Sequence, residues 1–178
     1  GDGTFSHFSS CPIISDLGSY VGVTCGDYDN DGDLDLYVCN ASNQHNFLYD
    51  NNGDGTFTRN ASVLPTQEDG HSFGSVWGDI DNDGALDLFV TNDNGNTNRL
   101  YTNNGDGTFF VQEQMVHNED AENSVTTSLA DYDNDGDLDI FVGNNNYKVN
   151  VLYNNGKGNC NNWKCVKLIG DKSNKAAI

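Results

Sequence analysis

The chain has 178 residues and a formal net charge of −19, with 27 acidic residues against 8 lysines and arginines. Such acidity excludes nucleic acids and anionic membranes as expected partners, because both favour a basic surface. No run of about 18 apolar residues occurs, so the sequence predicts no membrane insertion. Fourteen of the acidic residues fall in three short segments of one design.

The first acidic segment is residues 27–35, with the sequence Asp-Tyr-Asp-Asn-Asp-Gly-Asp-Leu-Asp. Five carboxylates this close together repel one another unless a cation neutralises them. Aspartates at positions one, three, five and nine, with glycine at position six for a sharp turn, suit a hard cation with several oxygen ligands. Calcium accepts roughly 6–8 oxygens in flexible geometry, whereas magnesium is stricter and zinc prefers nitrogen or sulfur. The segment therefore predicts a calcium-binding loop.

The same loop recurs at residues 79–87 and 131–139, at intervals of 52 residues. Position seven is Asp, Ala and Asp in the three copies, which indicates a backbone carbonyl ligand there. We therefore expect three Ca²⁺ ions per chain. The predicted side-chain ligands are Asp27, Asp29, Asp31, Asp35, Asp79, Asp81, Asp83, Asp87, Asp131, Asp133, Asp135 and Asp139. The predicted carbonyl ligands are Asp33, Ala85 and Asp137.

Each unit of about 52 residues contains candidate strands and no helical period of adequate length. In the first unit the strands are predicted at 20–26, 34–39, 46–49 and from residue 56 onward. The Asn-Asn-Gly-Asp-Gly turn that starts at residue 51 favours a hairpin, because Asn and Gly accept positive φ. The later units place strands at 73–78, 86–91, 125–130 and 138–143. The predicted fold is all-β, with four-stranded antiparallel sheets and a calcium loop between the first and second strands.

The repeat interval defines the expected domain organisation. A period near 50 residues is typical of propellers and repeat arrays. We assign residues 1–19 to the end of a preceding unit and a link, 20–71 to repeat 1, 72–123 to repeat 2, 124–159 to repeat 3, and 160–178 to a last strand and a further segment.

The acidic loops and their spacing resemble the FG-GAP/VCBS repeat family, the repeat of integrin-α-like β-propellers. The resemblance covers essentially residues 1–159 and implies one four-stranded blade per repeat. Residues 162–178, which begin Asn-Trp-Lys-Cys-Val-Lys-Leu, resemble the start of an ASPIC/UnbV segment. About three blades cannot close an ordinary propeller of 4–8 blades, so we expect the missing part of a longer chain or other copies to complete it.

Five cysteines and two glycosylation sequons, at Asn40 and Asn60, indicate an extracellular, secreted or cell-surface protein. With the acidic loop at the top of a blade, the strand directions place Cys11 and Cys39 together at the bottom. This favours a Cys11–Cys39 disulfide and leaves Cys25 as a buried thiol, although spacing alone does not fix the pairing. A second disulfide is expected at Cys160–Cys165. The alternative is that all five are buried small hydrophobic residues.

The sequence contains no arrangement typical of an enzyme. Its four histidines do not share one repeat position, and no Ser/His/Asp spacing or phosphate-binding loop occurs. The predicted function is a non-catalytic, secreted calcium-binding scaffold for adhesion, matrix or surface assembly, with an extracellular protein or a glycan as partner. One alternative is a calcium-dependent, lectin-like propeller that binds carbohydrate. Another is a propeller fused to an enzyme elsewhere in a longer chain.

Overall fold

The structure, a computed structural model, describes residues 3–7, 11–112 and 123–156. Its strands are β1 Tyr20–Gly26, β2 Asp35–Asn40, β3 Gln44–His45, β4 Phe47–Asn51, β5 Phe57–Asn60, β6 Asp69–Gly70, β7 Ser72–Gly78, β8 Asp87–Asn92, β9 Arg99–Asn103, β10 Phe109–Val111, β11 Ser124–Ala130, β12 Asp139–Asn144 and β13 Val151–Tyr153. The described helices are one short α-helix, α1 Pro12–Ser15, and one 3₁₀-helix at Leu64–Thr66. The all-β prediction is confirmed.

The strands form four antiparallel sheets. Sheet 1 has the order β1-β2-β4-β5, sheet 2 the order β7-β8-β9-β10, and sheet 3 the order β11-β12-β13 within the described residues. The fourth is the small pair β3–β6. Sheets 1 and 2 confirm the four-stranded pattern, whereas the last strand predicted for repeat 3 lies outside the described residues.

Tight turns rich in Asn and Gly connect the third and fourth strands of sheets 1 and 2. Gly53 and Gly55 adopt φ values of 70° and 86°, which residues with a side chain rarely tolerate. The side chain of Asp54 caps the turn by accepting the backbone N–H of Thr56 at 2.9 Å. Sheet 2 repeats this turn around Asp106, which accepts the N–H of Thr108 at 3.0 Å. The hairpin predicted from this motif is confirmed in both sheets.

The hydrophobic core lies between neighbouring sheets, and sheet 2 buries apolar side chains on both of its faces. Tyr37 and Leu48 of sheet 1 pack against Leu88, Val90 and Tyr101 of sheet 2. The second junction buries a matching cluster, formed by Ile80, Phe89, Leu100, Ile140 and Val142. Burying side chains of this size contributes roughly 1.5–3 kcal/mol each, so the junctions are the main source of stability.

Glycines on the first strand of sheets 1 and 2 let the next sheet come close. A Cβ atom at Gly22 would overlap the carbonyl oxygen of Phe73. At the next junction, a Cβ at Gly74 would lie 3.1 Å from the carbonyl oxygen of Val125. Sheet 3 carries Thr126 at this repeat position, and its exposed side chain lies over Gly143 on β12.

The cysteine predictions differ from the structure. Cys11, Cys25 and Cys39 are free thiols, so no Cys11–Cys39 bridge is formed. Cys39 belongs to the core cluster between sheets 1 and 2. Its neighbour Val38 packs with Ile13, close to Cys11 in sequence, in the cluster on the opposite face. Successive strand residues point to opposite faces, which keeps the two thiols apart.

Cys25 is exposed, so its prediction as a buried thiol was wrong. The other face of β1, with Gly22 and Gly26, approaches β7 of sheet 2. Alternation along the strand therefore places Cys25 on the face that carries the exposed Val21 and Val23. Cys160 and Cys165, with the bridge predicted between them, lie outside the described residues.

Candidate metal centres in the three acidic loops

Each acidic loop joins the first two strands of a sheet, as predicted. Loop 1 is residues 27–35, loop 2 is 79–87 and loop 3 is 131–139. Position four is Asn in all three loops, with φ between 59° and 63°, and position six is Gly, with φ between 95° and 98°. Asn is among the few residues that tolerate left-handed φ, which explains why the sequence repeats it there. These two positions curl the loop around its aspartates.

The aspartate at position one organises the turn through backbone hydrogen bonds. In loop 1, Asp27 accepts the N–H of Asp31 at 3.0 Å and the N–H of Gly32 at 3.1 Å. Asp79 and Asp131 accept the equivalent pairs in loops 2 and 3. These bonds hold the carboxylate in one orientation, with N–H donors that also offset its negative charge.

The loop brings the aspartates of positions one, three and nine together. In each loop, one carboxylate oxygen from each of these three residues lies within 4.8 Å of the other two. The three triads are Asp27, Asp29 and Asp35; Asp79, Asp81 and Asp87; and Asp131, Asp133 and Asp139. Calcium binds oxygens at 2.3–2.6 Å, so ligands around one ion lie up to about 5 Å apart. An all-oxygen, anionic donor set at this separation fits calcium.

The predicted ligands at position five do not belong to these triads. Asp31 accepts the backbone N–H of Asp33 at 2.9 Å, and Asp83 and Asp135 accept the same N–H in their loops. The position-seven carbonyls of Asp33, Ala85 and Asp137 stay a prediction. The side chain of Asp137 is buried and accepts a hydrogen bond from Asn82 of loop 2 at 2.8 Å. It therefore links two loops.

The position-nine aspartates are the buried members of the triads. Asp35 accepts the backbone N–H groups of Tyr28 at 3.3 Å and Asn51 at 2.9 Å. Burial raises the pKa of Asp35 to about 6, although these two donors act in the opposite direction. Burial likewise raises the pKa of Asp87 to about 6. A bound cation would remove this penalty by compensating the buried charge.

Two features of loop 1 were missed in the sequence. Asp50 lies close enough to raise the pKa of Asp29, after the larger effects of burial and of Asp31. Its carboxylate also accepts a 2.9 Å hydrogen bond from the hydroxyl of Tyr28. The other feature is Asn51, whose equivalents Asn103 and Asn155 follow at 52-residue intervals. The recurrence of this asparagine is the sequence signal for its role in the loop. A hairpin turn is sufficient to explain the same recurrence, so the role was not predicted.

The two sequons occupy different environments. Asn40 is 0% exposed, and its side-chain Nδ2 donates to the carbonyl oxygen of His45 at 2.7 Å. Asn92 and Asn144 occupy the same repeat position, and the Nδ2 of each donates to the carbonyl oxygen five residues later at 2.7 Å. The asparagine at this position therefore has a structural role in each sheet. Its burial argues against a glycan at Asn40. Asn60 is only half-buried, and glycosylation there stays a prediction.

A profile of the FG-GAP-like repeat matches this chain three times, over residues 1–38, 27–90 and 79–142. The second and third matches begin at the first residues of loops 1 and 2, which are 52 residues apart. The chain belongs to the FG-GAP-like repeat family. Sheets 1, 2 and 3 are consistent with the blades of this family.

Curated relatives of the chain are cartilage acidic protein 1 from three vertebrates. The Xenopus tropicalis protein is 30% identical over 129 residues, which cover 71% of this chain and 20% of the relative. The human protein is 32% identical over 131 residues, with coverage of 71% and 19%. The mouse protein is 30% identical over 130 residues, with coverage of 71% and 20%. This chain spans about a fifth of the length of these relatives.

Proposed function

We propose that this FG-GAP repeat chain is a calcium-binding part of an extracellular β-propeller scaffold, with one Ca²⁺ ion in each acidic loop. The observation that carries the proposal is the grouping of three aspartates in every loop, with their oxygens within 4.8 Å. The same three positions are grouped in all three loops. An acidic surface turn without a bound ion would not need its aspartates at fixed positions. The residues that would hold the ion are the three triads, with positions five and seven as further ligands.

The bound ion would supply positive charge that fixes the turn between the first two strands of each sheet. The buried position-nine carboxylates are the first residues of β2, β8 and β12. An ion bound to them would stabilise the start of each of these strands, so its role would be structural. The chain's own contribution is to present the oxygens in one orientation through backbone donors. The expected activity is mechanical support of a binding surface, without catalysis.

The proposed location is extracellular. The relatives are named for cartilage, a tissue dominated by extracellular matrix, and weak calcium sites are filled at millimolar extracellular calcium. Within the described residues, no helix is long and apolar enough to cross a membrane. The proposed partner is an extracellular protein or a glycan, and the remainder of a longer chain or other copies would complete the propeller.

Calcium titration of the metal-free chain by isothermal calorimetry tests the proposal. We expect three ions per chain and little competition from magnesium. Removing calcium should also lower the melting temperature, because binding to the folded state alone stabilises it by about 2.7 kcal/mol per site at a hundredfold excess over Kd. A chain that neither takes up calcium nor melts earlier in chelator would disprove the calcium-dependent scaffold.

A further inference from the structure

The side-chain amides of Asn103 and Asn155 cross the junction to the preceding sheet. Asn103 Nδ2 donates to the carbonyl oxygen of Tyr28 at 2.7 Å, and Asn155 Nδ2 donates to that of Ile80 at 2.7 Å. Each pair is separated by 75 residues in sequence. Tyr28 and Ile80 occupy position two of loops 1 and 2, between the triad aspartates of positions one and three. The same bond at both junctions marks it as a feature of the architecture.

Each crossing asparagine also contacts a triad of its own sheet. The backbone N–H of Asn103 donates to Asp87 Oδ1 at 3.0 Å. On the other side of the junction, the N–H of Tyr28 donates to Asp35 Oδ2 at 3.3 Å. A series of hydrogen bonds therefore joins the position-nine aspartate of loop 2 to that of loop 1, through Asn103 and the backbone of Tyr28.

The second junction repeats this series. The N–H of Ile80 donates to Asp87 Oδ2 at 2.9 Å, and the N–H of Asn155 donates to Asp139 Oδ1 at 2.9 Å. Asp87 is therefore shared by the two series, with Oδ1 in the first and Oδ2 in the second. Asp87 and Asn103 are buried, and a buried donor or acceptor that loses its partner is costly.

We infer that Asn103 and Asn155 are positioning residues, each of which supports the metal triads of two neighbouring sheets. The inference rests on the proposed calcium function. Asn103 holds the carbonyl group of Tyr28, the residue between Asp27 and Asp29, and it thereby supports the spacing of two predicted ligands of loop 1 from sheet 2. Asn155 does the same for loop 2 from sheet 3. Loops 1 and 2 each receive this contact from the following repeat, in addition to the local bond at the N–H of the same residue.

The test uses the full chain with loops 2 and 3 disabled by Asp81→Asn and Asp133→Asn, so that only loop 1 binds calcium. Asn103→Ala should lower the calcium affinity of loop 1 about threefold to tenfold, as expected for the loss of its one hydrogen bond to that loop. Asn155→Ala is the matched control, because it removes the same residue of the repeat but contacts loop 2. Its effect on loop 1 should stay within about twofold.

Amide hydrogen exchange on the metal-free chain provides a second, calcium-independent measurement. Asn103→Ala should accelerate exchange in residues 27–35, whereas Asn155→Ala should accelerate it in residues 79–87 and leave 27–35 unchanged. Asn103→Ser, which is too short to reach the Tyr28 carbonyl, replaces the alanine variant if that variant does not fold. Faster exchange confined to the contacted loop in each variant indicates loss of the contact between sheets. Faster exchange in both loops of both variants would indicate general destabilisation.

The possible outcomes separate the two proposals. If the wild-type chain binds calcium but both alanine variants behave alike in affinity and exchange, the positioning role is overturned and the calcium function stands. If the wild-type chain binds no calcium, the proposed function falls, and exchange in residues 27–35 alone decides whether Asn103 supports loop 1.

Discussion

Aspartates of one loop differ in their surroundings although their sequence pattern is uniform. Asp35 is buried at the start of β2, Asp29 is exposed, and both belong to the triad of loop 1. Asp33 has the same chemistry but lies outside the triad. The loop therefore separates the carboxylates that are grouped in the triad from one whose predicted contribution is its backbone carbonyl.

We predict that Asp29→Asn removes the ion of loop 1, whereas Asp33→Asn retains it. Both substitutions delete one negative charge from the same loop and change the side-chain volume little, so they form a matched pair. Calorimetric stoichiometry should fall from three ions to two for Asp29→Asn and stay at three for Asp33→Asn. Equal stoichiometry in the two variants would show that total charge, and not the triad, determines binding.

Cysteine reactivity provides a second prediction at this scale. Cys25 is exposed, while Cys39 is buried in the core and burial raises its pKa to about 11. A thiolate is the reactive form, so iodoacetamide should modify Cys25 of the native chain rapidly and leave Cys39 unmodified. Peptide mass spectrometry before and after unfolding checks this. A Cys11–Cys39 disulfide in the native chain would appear as a linked peptide and would contradict the free thiols.

Strand and loop elements follow directly from local chemistry. The predicted strand at 20–26 coincides with β1, because small and apolar residues lead without interruption into the acidic loop. The predicted strand at 34–39 is displaced by one residue from β2 at Asp35–Asn40. Leu34 remains in the loop, since position nine both closes the triad and begins pairing with Gly26.

Contacts between elements could not be predicted in the same way. Which face of β1 meets the next sheet depends on residues 50 positions away, so Cys25 was assigned to the wrong environment. The bond from Asn103 to Tyr28 depends on sheet packing across 75 residues. Local patterns therefore indicated the triad aspartates together with position five, whereas the restriction to three and the groups that join the triads across sheets required the structure.

We predict that Gly22→Ala destabilises the fold, because its Cβ would overlap the Phe73 carbonyl of the next sheet. Overpacking of this kind costs typically 1–3 kcal/mol. Thr126→Ala places alanine at the same repeat position of sheet 3, where the side chain is exposed, and should change stability by less than about 0.5 kcal/mol. Urea unfolding measures both, and a tolerated Gly22→Ala would show that the sheets can separate slightly without loss.

Across the whole molecule, one apolar row recurs on the same face of every sheet. It is buried in sheets 1 and 2, where Tyr37 and Leu48, then Phe89 and Leu100, face the following sheet. In sheet 3 the equivalent Phe141 is 43% exposed, compared with 2% for Phe89. The described residues therefore leave this face of sheet 3 open.

We predict that Phe89→Ala costs about 3–5 kcal/mol, whereas Phe141→Ala costs well under half of that. The reason is that Phe89 is surrounded by two sheets and Phe141 by one. Chemical denaturation of the two variants, at several protein concentrations, measures the difference. Similar losses would mean that the outer face of sheet 3 is covered in solution, and a dependence on concentration would identify a second copy as the cover.

The exchange of Thr126 and Gly143 has a consequence for any sheet that packs against the open face of sheet 3. At the junctions between sheets 1 and 2 and between sheets 2 and 3, the first strand of the earlier sheet carries the glycine. Gly22 pairs with Cys39, and Gly74 pairs with Thr91. In sheet 3 the first strand carries Thr126, and the glycine, Gly143, lies on the second strand opposite it. A sheet that packs against this face of sheet 3 meets the Thr126 side chain where the two junctions between the described sheets have a glycine. It must therefore either lie farther from sheet 3 or displace that side chain.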